Sequence, residues 1–266
     1  MELEVSRLQS GYNGTVIIDG LDLRIPAGRI TSLIGANGCG KSTLLKTICR
    51  ILKPTAGTVF LDGVSVHGID SKELARRLAI LPQNPTAPDG LTVRELVGYG
   101  RAPHSSGLFS RISQKDRDIV QWAIEETDLA AFADRPVYAM SGGQRQRAWI
   151  AMAIAQDTDI LFLDEPTSFL DVSHQMEVLH MVSSLNRKYG KTIVMVIHDL
   201  NEAARFSHHM VAMKRGQVRY NGTPHEIFTK KMLSDIFDID ADIMTNPRTG
   251  TPFCIPFLKD DRHETK

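Results

Sequence analysis

The run GANGCGKST at residues 35–43 sets Gly35, Gly40, Lys41 and Ser42 in the pattern G-x-x-x-x-G-K-[ST], the spacing of a loop that wraps phosphate. Glycines at 35, 38 and 40 let the backbone curl so that successive N–H groups point inward, and the positive end of a following helix adds to the field on an anion. In such a loop Lys41 reaches the β and γ phosphates of a nucleotide and the Ser42 hydroxyl completes the coordination of Mg2+, while Ala36, Asn37, Gly38, Cys39 and Thr43 complete the cradle. Cys39 sits inside the loop either for its small size or for redox chemistry. A chance glycine-rich turn would lack the flanking context that the motif demands. Here the apolar run Ile30 to Ile34 predicts a buried strand before the loop, and Ser42 to Leu52 predicts a helix after it.

A second set of reactive side chains stands at Asp164 and Glu165, at the end of the apolar run Ile160 to Leu163. Buried strands do not end in paired acids for packing, because an unpaired buried charge is costly. Asp164 is placed to hold Mg2+, largely through water, and Glu165 to orient and polarise an attacking water. Another apolar strand, Thr192 to Ile197, ends at His198, which is either a donor to the γ phosphate or one more surface group among nine histidines. Gln83 follows the short strand Ala79 to Leu81 and faces the crevice outside a parallel sheet, where it touches Mg2+ or the attacking water, or is a solvent-exposed loop glutamine. Tyr12, in SGYNG, is either a purine-stacking ring or a turn aromatic.

The segment Met140 to Ala155 reads MSGGQRQRAWIAMAIA. Ser141 is a good helix N-cap, and Gly142, Gly143 and Gln144 open a strongly predicted helix with exposed backbone N–H groups. This makes a second anion site. One nucleotide is not easily cradled at its γ phosphate by two helix N-termini of the same subunit, so a second copy of the chain is the expected source of this one.

The elements that must position these groups follow from periodicity. Leu3 to Leu8, Val16 to Ile25 and Gly57 to Leu61 alternate as strands of a small antiparallel sheet, and Ser71 to Leu78 reads as a short helix. From Thr92 to about Asp157 apolar residues recur at helical spacing, an inserted helical region. Its internal loop, Arg101 to Arg111, is rich in proline, glycine and serine and is expected to be exposed and mobile, its arginines and His104 forming a partner surface or a merely solvated loop. A hairpin is expected over 209–220, a helix from His225 to about Asp238, further strands within Asp240 to Phe257 and a charged, disordered tail from Lys259.

Composition narrows the partners. Lysine plus arginine and aspartate plus glutamate both number 31, so no bulk positive field holds nucleic acid. The amino terminus lacks the form of an export signal and no apolar stretch is long enough to span a bilayer, so a cytosolic location is expected. The three cysteines fit neither a zinc spacing nor a disulfide framework.

With these segments in place the chain resembles the ATP-binding subunits of ATP-binding cassette transporters over nearly its whole length. GANGCGKST is similar to the family's Walker A loop, Tyr12 to its adenine-stacking residue, Gln83 to its Q-loop, SGGQRQR from Ser141 to its signature, ILFLDE from Ile160 to its Walker B strand and His198 to its switch histidine. SFLD, Ser168 to Asp171, resembles the D-loop, with Phe169 where alanine is commoner. NGCGKSTLLKT from Asn37, SGGQRQRAWIAM from Ser141, FLDVSHQ from Phe169, HDLNEA from His198 and GTPF near Gly250 are similar to the iron-siderophore importers, with the ferric enterobactin and ferric citrate systems nearest.

The resemblance implies an α/β fold: a P-loop, RecA-like core with an antiparallel β subdomain and an inserted α-helical subdomain. Residues 1–240 would form the ATPase domain, with the helical part at about 88–157, and 241–266 a carboxyl-terminal extension. It further implies ATP and Mg2+ as ligands and a head-to-tail homodimer in which each signature completes the other subunit's site. An integral-membrane permease docked near the Q-loop, an extracytoplasmic siderophore-binding protein and a place on the cytoplasmic face of the membrane complete the expectation. Two other readings compete: the motor of a cobalamin or haem importer, and a soluble ATPase acting on ribosomes or DNA. The second is disfavoured by the single cassette and the absence of a heptad insert.

Overall fold

In the computed structural model, which describes residues 1–105 and 113–258, the chain gathers into two units, residues 1–66 with 194–266 and residues 67–193. Arg111 and the tail from Lys259, both singled out in the sequence, lie outside the described residues.

In the first unit β1 (Leu3–Tyr12) buries Leu3, Val5, Leu8 and Ser10 and turns the residues between them outward. It pairs antiparallel with β2 (Thr15–Ile25), from Leu3 opposite Ile25 to Tyr12 opposite Thr15. The reversal is Asn13-Gly14, with φ of 49° and 79°, the left-handed pair that a tight hairpin requires. Tyr12 is therefore the last paired residue of a strand rather than part of the turn, and its ring stays 40% exposed.

β3 (Ile30–Ile34) is buried at every position, as an unalternating apolar run in a parallel sheet should be. It leads through the glycine-rich loop into α1 (Lys41–Ile48). That helix is shorter than the predicted span to Leu52. Arg50 turns left-handed at φ 62°, and the N–H groups of Ile51 and Leu52 both fold back onto the Lys46 carbonyl, closing the helix. β4 (Ala56–Leu61) and the short β5 (Val64–Ser65) complete an antiparallel sheet of order β2-β1-β4-β5.

The second unit opens with α2 (Ser71–Arg77), capped by the Asp70 carboxylate, and β6 (Leu78–Leu81). α3 (Val93–Tyr99) begins at a Thr92–Glu95 capping box, and α4 (Gln114–Glu126) at Ser113. α5 (Gly142–Ala155) follows, and these three helices pack against one another, with Leu96, Val97, Ala123, Ile124, Ile150 and Ile154 all buried. β7 (Ile160–Asp164) runs parallel to β6, Leu78 opposite Ile160 and Leu81 opposite Leu163, so both strands deliver their next residues at one end of the pair. α6 (Val172–Tyr189) runs from the Asp171 cap to Gly190 at φ 64°.

One expectation fails here. Arg101 is not part of an exposed, mobile loop: its side chain is 8% exposed, its Nε donates to Asp116 Oδ1 at 2.9 Å and its Nη1 to the Ala155 carbonyl at 2.7 Å. His104 is likewise engaged, its Nε2 lying 2.9 Å from the Gln156 carbonyl oxygen. Local proline and glycine content misreads Arg101 and His104, which these partners hold, and residues 106–111 of that loop lie outside the described residues.

β8 (Thr192–Val196) carries the chain back to the first unit, where α7 (Leu200–Phe206), β9 (His209–Lys214) and β10 (Gln217–Gly222) follow. β9 lies parallel to β3, Thr31 opposite His209 and Ile34 opposite Ala212, and antiparallel to β10. The helix expected from His225 to Asp238 is two helices, α8 (Pro224–Ile227) and α9 (Lys230–Phe237). Thr229 divides them because its hydroxyl caps the second helix by accepting the Met232 N–H. β11 (Asp240–Thr245) and β12 (Pro252–Phe257) form the final hairpin. The Asn201 side chain ties it to α7 by donating to the Cys254 carbonyl and accepting the Cys254 N–H. Among the described residues no helix is long and apolar enough to cross a membrane.

Candidate functional site

The phosphate loop lies wholly in the first unit. Gly35, at φ 148°, has no room for a side chain: a Cβ there would come 2.4 Å from the Met213 carbonyl oxygen and 2.7 Å from Cys39 Sγ. Gly40 caps α1 in a left-handed conformation at φ 108° and supplies no side-chain acceptor to the helix. A helix start without a side-chain cap directs its first-turn amides and the positive end of the helix toward an anion. Lys41 is 6% exposed and its Nζ donates to the carbonyls of Gly35 at 2.7 Å and Ala36 at 3.2 Å, so the ammonium spans the mouth of the loop. Cys39 anchors the loop from behind by accepting the Gly216 N–H on its carbonyl at 2.9 Å.

The residue types fit a nucleotide phosphate: glycines with positive φ, an uncapped helix start and a buried lysine. Asn37, Gly38, Ser42 and Thr43 belong to the same loop and first turn. The Ser42 hydroxyl is a hard oxygen donor of the kind that Mg2+ prefers.

His198 leaves the first unit's sheet beside this loop, since the Ile197 N–H before it donates to the Leu33 carbonyl of β3 at 3.4 Å. Asp199 then caps α7, accepting the Glu202 N–H at 2.8 Å. Burial, reinforced by Asp199, pushes the Glu202 carboxyl above its ordinary range.

The second unit holds the carboxylates. Asp164 is 4% exposed at the end of β7. Glu165 follows at φ 56°, a left-handed turn that swings its side chain off the strand line. Its Oε2 accepts from Gln83 Nε2 at 2.5 Å and from Ser168 Oγ at 2.8 Å. Two donors on one oxygen fix the plane of the carboxylate. Sequence reasoning placed Gln83 and Glu165 each near the chemistry but not against one another, because the contact depends on the parallel register of β6 and β7. Ser168 was visible only as the first residue of SFLD.

Ser141 caps α5 in a capping box, accepting the Gln144 N–H at 3.3 Å while Gln144 Oε1 accepts the Ser141 N–H at 3.2 Å. The hydroxyl hydrogen of Ser141 is not spent by that arrangement, nor are the Gly142 and Gly143 amides used by the box. The two glycines differ. A Cβ on Gly142 would meet only Leu170 Cδ2, at 3.8 Å, whereas one on Gly143 would lie 2.4 Å from His174 Cδ2. The close approach of His174 is a reason for Gly143 that the sequence did not disclose.

The family model described as ABC transporter matches residues 18–168. The chain is 54% identical over 255 residues to the iron(3+)-hydroxamate import ATP-binding protein FhuC of Bacillus subtilis (strain 168), covering 96% of this chain and 94% of that protein. It is 44% identical over 254 residues to the ferric enterobactin transport ATP-binding protein FepC of Escherichia coli (strain K12), covering 96% and 93%. Among solved structures, an inward-facing metal-chelate type ABC transporter matches with a TM-score of 0.83 and 26% identity over 97% of this chain and 98% of that one.

Proposed function

The chain belongs to the ABC transporter family, and from that membership we propose that it is the ATP-hydrolysing subunit that powers import of ferric siderophore complexes across the cytoplasmic membrane. The two relatives named above handle iron held by different chelators, which supports the siderophore class without choosing one member of it. The observation that carries the chemistry is Glu165, an acid at the end of a buried strand whose carboxylate is oriented by Gln83 and Ser168.

In this reading the Tyr12 ring stacks on adenine, and the loop of Gly35, Ala36, Asn37, Gly38, Cys39, Gly40, Lys41, Ser42 and Thr43 binds the phosphates. Lys41 turns its ammonium from the loop carbonyls to the β and γ oxygens. Ser42, Asp164 and Gln83 would hold Mg2+, which neutralises charge on the phosphate oxygens. Glu165 orients the attacking water and takes its proton as the water oxygen bonds to the γ phosphorus and the bond to ADP breaks. His198 donates a hydrogen bond to the γ phosphate, which carries the most charge when that bond is breaking.

Ser141, Gly142, Gly143 and Gln144 act on a second copy's nucleotide. Two copies close head to tail over two ATP molecules, and loss of the γ phosphate reopens them. A membrane permease converts this cycle into transport, and an extracytoplasmic binding protein delivers the cargo. The chain works at the cytoplasmic face of the membrane.

The test is uptake of labelled ferric siderophores into vesicles that contain this protein and the permease it copurifies with. ATP-dependent accumulation that is abolished by Glu165→Gln is expected. Transport of cobalamin with no iron complex carried would overturn the cargo.

A further inference from the structure

The start of α6 carries a side chain that touches both of the segments this subunit offers to its twin. Asp171 caps the helix by accepting the His174 N–H on Oδ1 at 2.9 Å, and His174 Nδ1 lies 2.8 Å from both Oδ1 and Oδ2 of the same carboxylate. The His174 bonds, backbone first and ring second, hold the Asp171 carboxyl below its usual range. The opposite edge of the ring rests on Gly143 of α5, where a Cβ would fall 2.4 Å from Cδ2 and 2.8 Å from Cγ. Only glycine lets the imidazole sit this close.

One turn further along, the two helices meet again. Arg147 Nη1 of α5 lies 3.9 Å from Glu177 Oε2 of α6, and 3.6 Å from Asp128 Oδ2. Gly143 and Arg147 are four residues apart, and His174 and Glu177 three apart, so each pair lies along one helix face. The facing pairs set the register of α5 on α6. The loop that precedes α6 is held by the adjacent residue as well: Gln175 Nε2 donates to the carbonyls of Thr167 at 3.4 Å and Leu170 at 3.0 Å. That loop presents Phe169, left-handed at φ 64° and 90% exposed, and begins with Ser168, which bonds Glu165.

We propose that His174 is a positioning residue that locks residues 168–171 onto the first turn of α5, so that the Ser141–Gln144 segment, the exposed Phe169 loop and the Glu165 carboxylate are presented together. The proposal rests on the reading of this chain as an ATPase completed by a second copy. His174 itself lies off the nucleotide: it acts through Asp171 and Gly143.

The test compares His174→Ala, His174→Asn and the wild-type full chain in three measurements. Amide hydrogen exchange comes first and needs no catalysis. In His174→Ala, exchange should quicken at the hydrogen-bonded amides of Ser168, Leu170 and Gln144 while the phosphate loop keeps its wild-type protection. Steady-state ATP hydrolysis should show kcat reduced about tenfold through misplacement of the dimer-facing groups. Binding of a fluorescent ATP analogue should stay within about twofold of wild type, because the loop that grips it lies in the other unit.

His174→Asn places an amide donor where Nδ1 stood and should recover most of the lost kcat and of the protection at Ser168 and Leu170. Unchanged exchange in His174→Ala, or a weakened nucleotide affinity at unchanged kcat, would overturn the proposal. Failure of iron uptake with these exchange and kcat effects intact would instead count against the cargo.

Discussion

Gln83 Nε2 donates to Glu165 Oε2 at 2.5 Å, although the two residues stand at the ends of different strands. The parallel pairing of Leu81 with Leu163 brings those ends together. A hydrogen bond to an ionised carboxylate is short and strong, and here it shares its acceptor with Ser168. Gln83 therefore orients the proposed base, in addition to any contact with a metal ion. Gln83→Ala should lower kcat for ATP hydrolysis by about tenfold while leaving nucleotide affinity within about twofold, a split that steady-state kinetics beside a fluorescent-nucleotide titration will show.

The two glycines at 35 and 38 should respond unequally to alanine. Gly38 is left-handed at φ 75° with open space where its Cβ would go, so Gly38→Ala should cost only backbone strain, about 1 kcal/mol in urea denaturation. Gly35→Ala meets a backbone carbonyl and Cys39 Sγ as well, and should cost about 3 kcal/mol and abolish nucleotide binding. Equal losses would contradict the crowded packing around Gly35.

The Arg101–Asp116 pair should make the second unit sensitive to acid. The Ser113 hydroxyl, followed by the Arg101 guanidinium, holds the Asp116 carboxyl below its ordinary value of 3.8. A carboxyl with a depressed folded-state value adds stability above that ordinary value and loses it as pH falls through the folded one. Asp116→Asn should destabilise the protein by about 2 kcal/mol at neutral pH, at the low end for a buried arginine because Asp116 keeps some solvent. The difference from wild type should shrink as pH drops below 3.8 and vanish only beneath the lowered folded-state value, which paired denaturation curves will read.

The phosphate loop was legible because its chemistry is local: spacing alone names Gly35, Gly40, Lys41 and Ser42, and the flanking strand and helix stand where the pattern requires them. Asp164 and Glu165 were legible for a different reason, the cost of ending a buried strand in charge. What escaped the sequence depends on pairing at a distance. Nothing near Gln83 announces Glu165, and nothing near Gly143 announces the His174 ring. Arg101 was misread because its neighbours have loop composition while its partners, Asp116 and Ala155, lie far along the chain. The break at Thr229 was missed because a threonine in an amphipathic run reads as helix until its hydroxyl is seen capping Met232.

Glu165→Gln tests the central claim most directly. An amide cannot accept the water proton, yet it preserves the shape of the side chain and its contact with Ser168. In light scattering with ATP and Mg2+ the variant should bind nucleotide, lose all but about a hundredth of its turnover and accumulate as a dimer that the wild type forms only in passing. A Glu165→Gln protein that hydrolyses ATP at the wild-type rate, or that binds ATP and stays monomeric, would contradict the account.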